Sequence, residues 1–152
     1  MYDIKKLKQL RDETGVSIAL CKKALEESNN DLTRAKKLLF SWGAEKIKDK
    51  TTKTTSQGAL FSYVHHNKKI ASLVELFCET DFVAKNSYFQ HLGQEIAMQV
   101  ASTPAKNQDE LLKQPYNRDA SKMIKDLINE GVLKLGENIK IGKFIRLELG
   151  VE

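Results

Sequence analysis

The chain has 152 residues, which is enough for one ordinary domain or two small ones and too few for a large multidomain enzyme. Hydrophobic residues make up 41% and charged residues 30% of the sequence, a composition that buries a modest core and excludes global disorder. The net charge of +5 lies in residues 1–57, with 13 basic and 8 acidic residues against 12 and 12 in the remainder, a mild excess that fits either nucleic acid or an acidic protein surface.

Residues 1–43 carry the apolar spacing of three short helices. Each places its apolar residues on one face, at intervals of three and four: Ile4, Leu7 and Leu10 in the first, Ile18, Cys21, Ala24 and Leu25 in the second, and Leu32, Ala35 and Leu39 in the third. The expected boundaries are a stop at Gly15, an N-cap at Ser17, a turn at 29–31 and an end at Trp42-Gly43. Because helices this short are not stable alone, we expect a bundle of three.

Residues 44–57 form the expected linker between this bundle and a second domain at 58–152. Lysines alternate with threonine and serine there, and Ile47 is the one large apolar residue. The lysine-rich start is compatible with continued helix, whereas the threonine and serine run has too little apolar surface to hold itself in place.

The apolar period changes to two after residue 57, which indicates strands. Segments 58–64 and 70–78 are rich in aromatic and β-branched residues, and the polar loop at 65–69 has the length of a hairpin connection. Alternation returns at 138–149, where we expect a last strand.

Helices fill the interval between these strands. Ser87 with Gln90 predicts a capped helix start, and the helix that follows has an apolar face over 89–100. Weaker helical patterns lie at 108–114 and at about 123–135. The sequence therefore predicts an α+β fold: an N-terminal three-helix bundle, a linker, and a small antiparallel sheet layered with helices.

The sequence lacks the motifs of the common catalytic and cofactor sites: there is no phosphate-binding glycine loop, no HExxH and no GxSxG. Cys78 with His65, His66 or His91 could pair a thiol with a base, but no spacing places a base beside the thiol. Cys21 and Cys78 lack metal-ligand spacing and are expected to be buried, reduced thiols. We predict no catalytic residue, no metal site and no cofactor. Without a signal peptide or an apolar run near 18 residues, we expect a cytoplasmic protein that does not contact membrane.

The segment ETDFVAKN at 79–86 departs most clearly from these patterns, because a short strand-to-helix connection carries two bulky apolar residues, Phe82 and Val83. Side chains in such turns tend to face solvent, which would present one of the two as an anchor for a partner. The alternative is that Phe82 folds back under the sheet as core. The residue pattern leaves both alternatives open.

Three sequence motifs follow one another in a recognisable order over residues 3–149. The first comprises LRDETG at 10–15, CKKALEE at 21–27, NDL at 30–32 and Ala35. The second is LFCETDFVAKN at 76–86, and the third is GENI at 136–139. Together they resemble the motifs of translation elongation factor Ts, in a short form with a single core subdomain.

The resemblance implies a ubiquitin-associated-like opening module, a linker and one core subdomain. It also implies that Asp81 and Phe82 contact the GTPase domain of elongation factor Tu, with the aromatic ring inserted between two helices near the magnesium and phosphates of the nucleotide. The opening module is implied to touch another helix of that domain. The chain would then be a guanine-nucleotide exchange factor, not an enzyme, which promotes GDP release and allows GTP to reload. The residues expected at these contacts are Arg11, Ile18, Lys22, Lys23, Thr80, Asp81, Phe82, Val83, Gly136, Glu137, Asn138 and Ile139.

Two features depart from the family pattern. Ile18-Ala19 stands where the family often has a methionine pair, which keeps an apolar contact at Ile18 and reduces it at Ala19. Residues between Thr103 and Asp119 match no family feature. Three other classes stay open: an adaptor of ubiquitin type, suggested by the bundle; a nucleic-acid binder, suggested by the basic N-terminal third; and an enzyme that uses Cys78. The adaptor leaves segment 79–86 unexplained, and no direct contact with nucleic acid is expected.

A sheet of about three strands has edges that need pairing or cover, and this chain lacks the second core subdomain with which longer relatives cover one edge. We expect homodimerisation through the core, preferably along the last strand, whose apolar residues outnumber what one face can bury: Ile139, Ile141, Phe144, Ile145 and Leu147. The alternative is a monomer whose edges are blunted by Lys140, Lys143 and Arg146.

Overall fold

The computed structural model describes residues 2–50 and 54–151, with backbone placement alone for residues 43–50. Its elements along the chain are α1 (Ile4–Thr14), α2 (Ile18–Glu27), α3 (Leu32–Lys50), β1 (Gln57–Val64), β2 (Ile70–Cys78), α4 (Asp81–Ala84), α5 (Ser87–Ser102), α6 (Gln108–Lys113), β3 (Pro115–Tyr116), β4 (Asp119–Met123), α7 (Ile124–Leu135) and β5 (Lys140–Glu148). A helical bundle followed by a small antiparallel sheet with helices confirms the predicted α+β class. Within the described ranges, no helix is long and apolar enough to cross a membrane.

The N-terminal module, α1–α3, has the predicted caps. Gly15 ends α1 in the left-handed conformation, with φ 69°. The hydroxyl of Ser17 caps α2 by accepting a hydrogen bond from the amide of Leu20 at 3.4 Å. The three helices bury a common apolar core that consists of Leu10, Val16, Cys21, Ala24, Leu25, Ala35 and Leu39.

Helix α3 extends further than the sequence predicts. The predicted end at Trp42-Gly43 is wrong, because the helix continues to Lys50. A single glycine inside a helix costs only about 1 kcal/mol, and the alanine, glutamate and lysines that follow Gly43 are good helix formers. The first half of the predicted linker, 44–50, is therefore helical, and its residues 51–53 lie outside the described residues.

The main sheet has three antiparallel strands in the order β1-β2-β5. These are the three predicted strands, with bounds that shift by at most two residues. Phe61 pairs with Val74 and Val74 with Phe144, so one cross-strand row faces α5 and the core. The predicted loop at 65–69 connects β1 to β2. A hydrogen bond from the amide of His65 to the carbonyl of Ile70, at 2.9 Å, closes it.

Helix α5 crosses the covered face of the sheet. Its Gly93 lies so close to Phe61 that an added Cβ would come within 2.2 Å of the ring, so the glycine permits the close approach. The predicted N-cap at Ser87 is wrong by one residue: Asn86 caps the helix by accepting from the amide of Tyr88 at 2.8 Å. Gln90 does not close a capping box with Ser87 but donates to the carbonyl of Ala84 at 2.7 Å.

The other face of the sheet is solvent-exposed and apolar. We name it the open face; its exposed apolar side chains are Leu60, Val64, Leu73, Ile145 and Leu147. Leu73 pairs with Ile145, and Ala71 lies between Val64 and Leu147 in the strand register, so the residues form one patch across three strands.

Helix α7 contacts both parts of the chain. Its Leu133 packs against the apolar core of the N-terminal module, while Ile124, Leu127, Ile128 and Val132 belong to the core beneath the sheet. The ammonium group of Lys134 lies 4.5 Å from the centre of the Tyr88 ring, and burial lowers the pKa of this lysine. The helix ends at Gly136, which has the left-handed conformation with φ 74° and is the first residue of the GENI motif.

Candidate functional site

Segment 79–86 folds into a single helical turn between β2 and α5. Thr80 is the N-cap of α4, and its hydroxyl accepts a hydrogen bond from the amide of Val83 at 3.2 Å. Asp81 follows in the first turn and pairs with Lys85 at 2.9 Å. A helix of four residues has no stability of its own, so this turn is held by its cap and by its contacts with the rest of the protein.

The turn separates its two bulky apolar side chains. Val83 is 6% exposed and packs in the core beneath the sheet, whereas Phe82 is 82% exposed. Of the two alternatives for Phe82, the structure has the outward one. Burial of a phenylalanine is worth about 1.5–3 kcal/mol, so an exposed ring forgoes that stabilisation in the free protein.

Two glutamates tie this turn to the GENI motif. The carboxylate of Glu137 accepts hydrogen bonds from the amide of Thr80 at 3.0 Å, from its hydroxyl at 2.7 Å and from the amide of Glu79 at 3.2 Å. In return, the carboxylate of Glu79 accepts from the amide of Asn138 at 2.5 Å. We name this pair the glutamate clamp. It brings together residues that are 57 to 59 positions apart in the sequence.

Two of the other three GENI residues are buried. Gly136 supplies the left-handed end of α7. Asn138 is 7% and Ile139 4% exposed. Like Val83, these two buried residues have little surface to present to a partner.

Cys78 lies directly behind the turn, at the end of β2. Its thiol is buried and donates to the carbonyl of Thr80 at 3.2 Å. Burial, with the nearby charge of Glu137, raises the pKa of this thiol to about 11, so it stays protonated near neutral pH. His65 and His66 lie in the loop at the opposite end of β2, so the strand separates them from the thiol.

The four predicted contact residues of the N-terminal module form a separate set on α1 and α2. Arg11 lies in the last turn of α1, and Ile18, at the start of α2, is 49% exposed. Lys22 follows Ile18 by one turn of the helix, and its ammonium group lies 4.8 Å from the centre of the Tyr2 ring. The ammonium group of Lys23 likewise lies 5.1 Å from the centre of the Trp42 ring. The module thus presents an apolar residue beside basic ones.

Two groups at the turn are missing from the predicted contact residues. Glu79 completes the clamp, and Lys85 pairs with Asp81. Both lie inside the recognised motif at 76–86, which was a usable signal, but no rule of spacing pairs a glutamate with an amide so far along the chain. Among the described residues, no group of three or more His, Cys, Asp and Glu side chains could hold a metal ion.

Comparison with known proteins gives the family of this chain. The family model described as "Elongation factor TS" matches residues 79–151, which begin at the clamp residue Glu79 and include the GENI motif. Elongation factor Ts of Thermosipho melanesiensis is 36% identical over 195 residues, covering 99% of this chain and 100% of the relative. The chain belongs to the elongation factor Ts family. Elongation factor Ts of Coprothermobacter proteolyticus, 38% identical over 189 residues, and that of Thermotoga maritima, 36% identical over 187, cover 95% of the chain each.

Membership of the elongation factor Ts family makes the chain a translation elongation factor. The matched spans of 187 to 195 positions exceed the 152 residues of this chain, so its elongation factor Ts relatives contain positions that it lacks.

Proposed function

We propose that this chain is the nucleotide-exchange factor of elongation factor Tu and that Phe82 is its anchor. In this account the ring enters the GTPase domain between two helices near the magnesium and phosphates, where it loosens GDP. The exposure of Phe82 supports the proposal: at 82%, it is the most exposed large apolar side chain of the described residues. Insertion into an apolar site would recover the burial energy that the free factor forgoes.

One ring does not account for exchange by itself. Weakening a bound nucleotide about 10⁴-fold takes about 5.5 kcal/mol, and a buried phenylalanine supplies about 1.5–3 kcal/mol. Other contacts must hold the factor in place while Phe82 acts. The exposed residues on α1 and α2 are suited to supply one of them, because Ile18 offers an apolar contact and Arg11, Lys22 and Lys23 offer charge.

Nucleotide exchange of this kind needs no catalytic group. The factor changes the affinity of its partner for GDP, and no covalent bond is made or broken. Exchange by this route uses neither proton transfer nor a cofactor. The protonated state of Cys78 and its separation from His65 and His66 agree with a protein that works by binding.

The proposal is tested by the reciprocity of linked binding. If binding of the protein lowers the affinity of elongation factor Tu for GDP by a certain ratio, bound GDP must lower its affinity for the protein by the same ratio. Calorimetric titration into nucleotide-free elongation factor Tu and into its GDP complex should therefore give dissociation constants that differ by orders of magnitude. Equal constants for the two forms would rule out exchange by coupling.

The N-terminal module is expected to supply affinity more than exchange. In the variant Lys22→Glu/Lys23→Glu, we expect the dissociation constant for elongation factor Tu to rise about tenfold or more. The reason is that the two substitutions reverse the charge of the surface proposed to meet the partner. The rate of GDP release at saturation should change little. The control Lys106→Glu/Lys113→Glu makes the same charge change on exposed residues of the core. Equal binding by the two double variants would assign the module another purpose.

We further propose a homodimer that forms through the open face. The edges of the sheet are already partly covered, since Gln94 donates to the carbonyl of Ser62 in β1 and Gln108 to that of Gly142 in β5, both at 2.9 Å. The predicted excess of apolar residues on the last strand has a simple cause: Ile139 and Ile141 are buried, whereas Ile145 and Leu147 belong to the open face. Arg146 also turns inward and donates to the carbonyl of Ala101 at 2.9 Å, so it does not guard the edge. A contiguous exposed apolar patch of this kind marks an interaction surface.

Sedimentation equilibrium at tens of micromolar tests this assembly. We expect the wild type to show the mass of two 17.2 kDa chains and Leu147→Glu the mass of one, because a carboxylate would be buried in the contact. Lys125→Glu, at an exposed position of α7 on the covered side of the sheet, is the charge-change control and should stay dimeric. A wild type of 17.2 kDa across the range contradicts the dimer, and dissociation by Lys125→Glu alone would move the contact to the helical side.

A further inference from the structure

The glutamate clamp controls the part of the chain that carries Phe82. Since the ring is 82% exposed, few neighbouring side chains can fix its direction, which depends on the backbone of α4. That backbone starts at Thr80, and Thr80 is held to Glu137 through both its amide and its hydroxyl.

The hydroxyl of Thr80 has two simultaneous roles. It donates to the carboxylate of Glu137 at 2.7 Å and accepts from the amide of Val83 at 3.2 Å. Hydrogen bonds linked in this way polarise one another, and those to an ionised acceptor are the stronger kind. The first turn of α4, including Phe82, is therefore ordered by hydrogen bonds to a carboxylate located directly after another helix, α7.

From this arrangement we infer that Glu137 is a positioning residue for nucleotide exchange: it orients Phe82 before the chain binds elongation factor Tu. The inference rests on the proposed function of Phe82. A preorganised ring loses less conformational freedom on binding than a mobile one, so more of its burial energy remains for loosening the nucleotide.

Direct contact of Glu137 with the partner is the competing explanation, and the geometry disfavours it. One carboxylate oxygen accepts from the amides of Glu79 and Thr80, and the other accepts from the Thr80 hydroxyl. A partner donor that competed for these oxygens would release the turn that carries Phe82. The carboxylate is thus already engaged in the free factor.

The first test compares Glu137→Ala with Glu137→Gln in the full chain. GDP release from elongation factor Tu is measured over a range of factor concentrations. For Glu137→Ala we expect the plateau rate to fall about tenfold, with the half-saturating concentration changed less than about threefold. Glu137→Gln keeps an oxygen for both amides and should retain most of the plateau rate. Asp109→Ala, an equal charge change on the exposed surface of α6, should match the wild type.

A double-mutant cycle separates positioning from contact. If Glu137 acts through Phe82, adding Glu137→Ala to Phe82→Ala should change the rate less than about twofold. If the two losses multiply, Glu137 acts independently and the inference is overturned. A Phe82→Ala variant that exchanges like the wild type would instead overturn the proposed function, and positioning with it, so the two failures look different.

Thr80→Val keeps the test decisive if Glu137→Ala does not fold. It removes the hydroxyl from the other side of the clamp and should give the same loss of plateau rate, which should again vanish beside Phe82→Ala. Hydrogen exchange in the free factor supplies a direct readout: the amide of Val83 should exchange about tenfold faster in Glu137→Ala, which retains the Thr80 hydroxyl to which this amide donates. Unchanged exchange at Val83 would show that the clamp does not order the turn and would overturn the inference.

Discussion

Phe82→Ala is expected to lower the rate of GDP release from elongation factor Tu at least tenfold while the melting temperature stays within about 2 °C of the wild type. Loss of the ring removes about 1.5–3 kcal/mol of burial in the complex, which corresponds to one to two decades. In the free protein the ring is 82% exposed, and substitutions at such surface sites usually change stability by less than about 0.5 kcal/mol.

Stopped-flow release of labelled GDP and thermal unfolding of the same preparations check both halves of this prediction. Leu149→Ala is a suitable control, since Leu149 is also apolar and 73% exposed but lies outside the motif at 76–86. A loss of about 3–5 kcal/mol in stability with Phe82→Ala would show that the residue is core in solution. The anchor role would then be wrong.

Phe89→Ala is expected to have the opposite profile. Phe89 lies seven positions after Phe82, is fully buried in α5, and packs against Phe61 with ring centroids 6.1 Å apart. Removing it leaves a cavity beneath the sheet, and we expect the free energy of unfolding to fall by about 3–5 kcal/mol. The melting temperature should drop by the order of 10 °C.

Denaturant unfolding measures this loss, and Phe89→Leu, which keeps most of the volume, should lose less than about 1.5 kcal/mol. At temperatures where Phe89→Ala remains folded, its exchange rate should stay close to that of the wild type. A loss below about 1 kcal/mol would contradict the packing described for α5. Together the two phenylalanines separate a binding role from a core role within one short stretch of sequence.

The bundle and the three main strands could be predicted because their signals are local. Gly15 and Ser17 mark helix ends through their own backbone and side-chain chemistry, and strands β1, β2 and β5 show the period of two. Helix α3 continues past Gly43 for a local reason as well, since the alanine, glutamate and three lysines within residues 44–50 favour the helix more than one glycine disfavours it.

The hairpin β3–β4 has no such local signal and no counterpart among the predicted elements. Its position depends on Gln99, whose buried side chain accepts from the amide of Asn117 at 3.0 Å and donates to the carbonyl of Pro115 at 3.1 Å. Glu95, also buried, pairs with Arg118 at 2.9 Å. These tertiary contacts from α5, and not the propensity of residues 115–123, decide the local structure.

The orientation of Phe82 could not be predicted from segment 79–86 for the same reason. Phe82 and Val83 are adjacent and both apolar, so the pattern does not say which one is buried. The structure decides it through the cap at Thr80 and the clamp from Glu137, 57 positions away. Motif resemblance implied that Phe82 faces a partner, and its exposure in the structure depends on a long-range contact.

The proposed acceleration of GDP release from elongation factor Tu by this chain can be measured in a single titration. Labelled GDP bound to purified elongation factor Tu is chased with excess unlabelled GDP while the wild-type factor is increased from zero to saturation. We predict a release rate that rises to a plateau about a thousandfold or more above the intrinsic rate. Release at the intrinsic rate at every concentration of the factor would contradict the proposed exchange function.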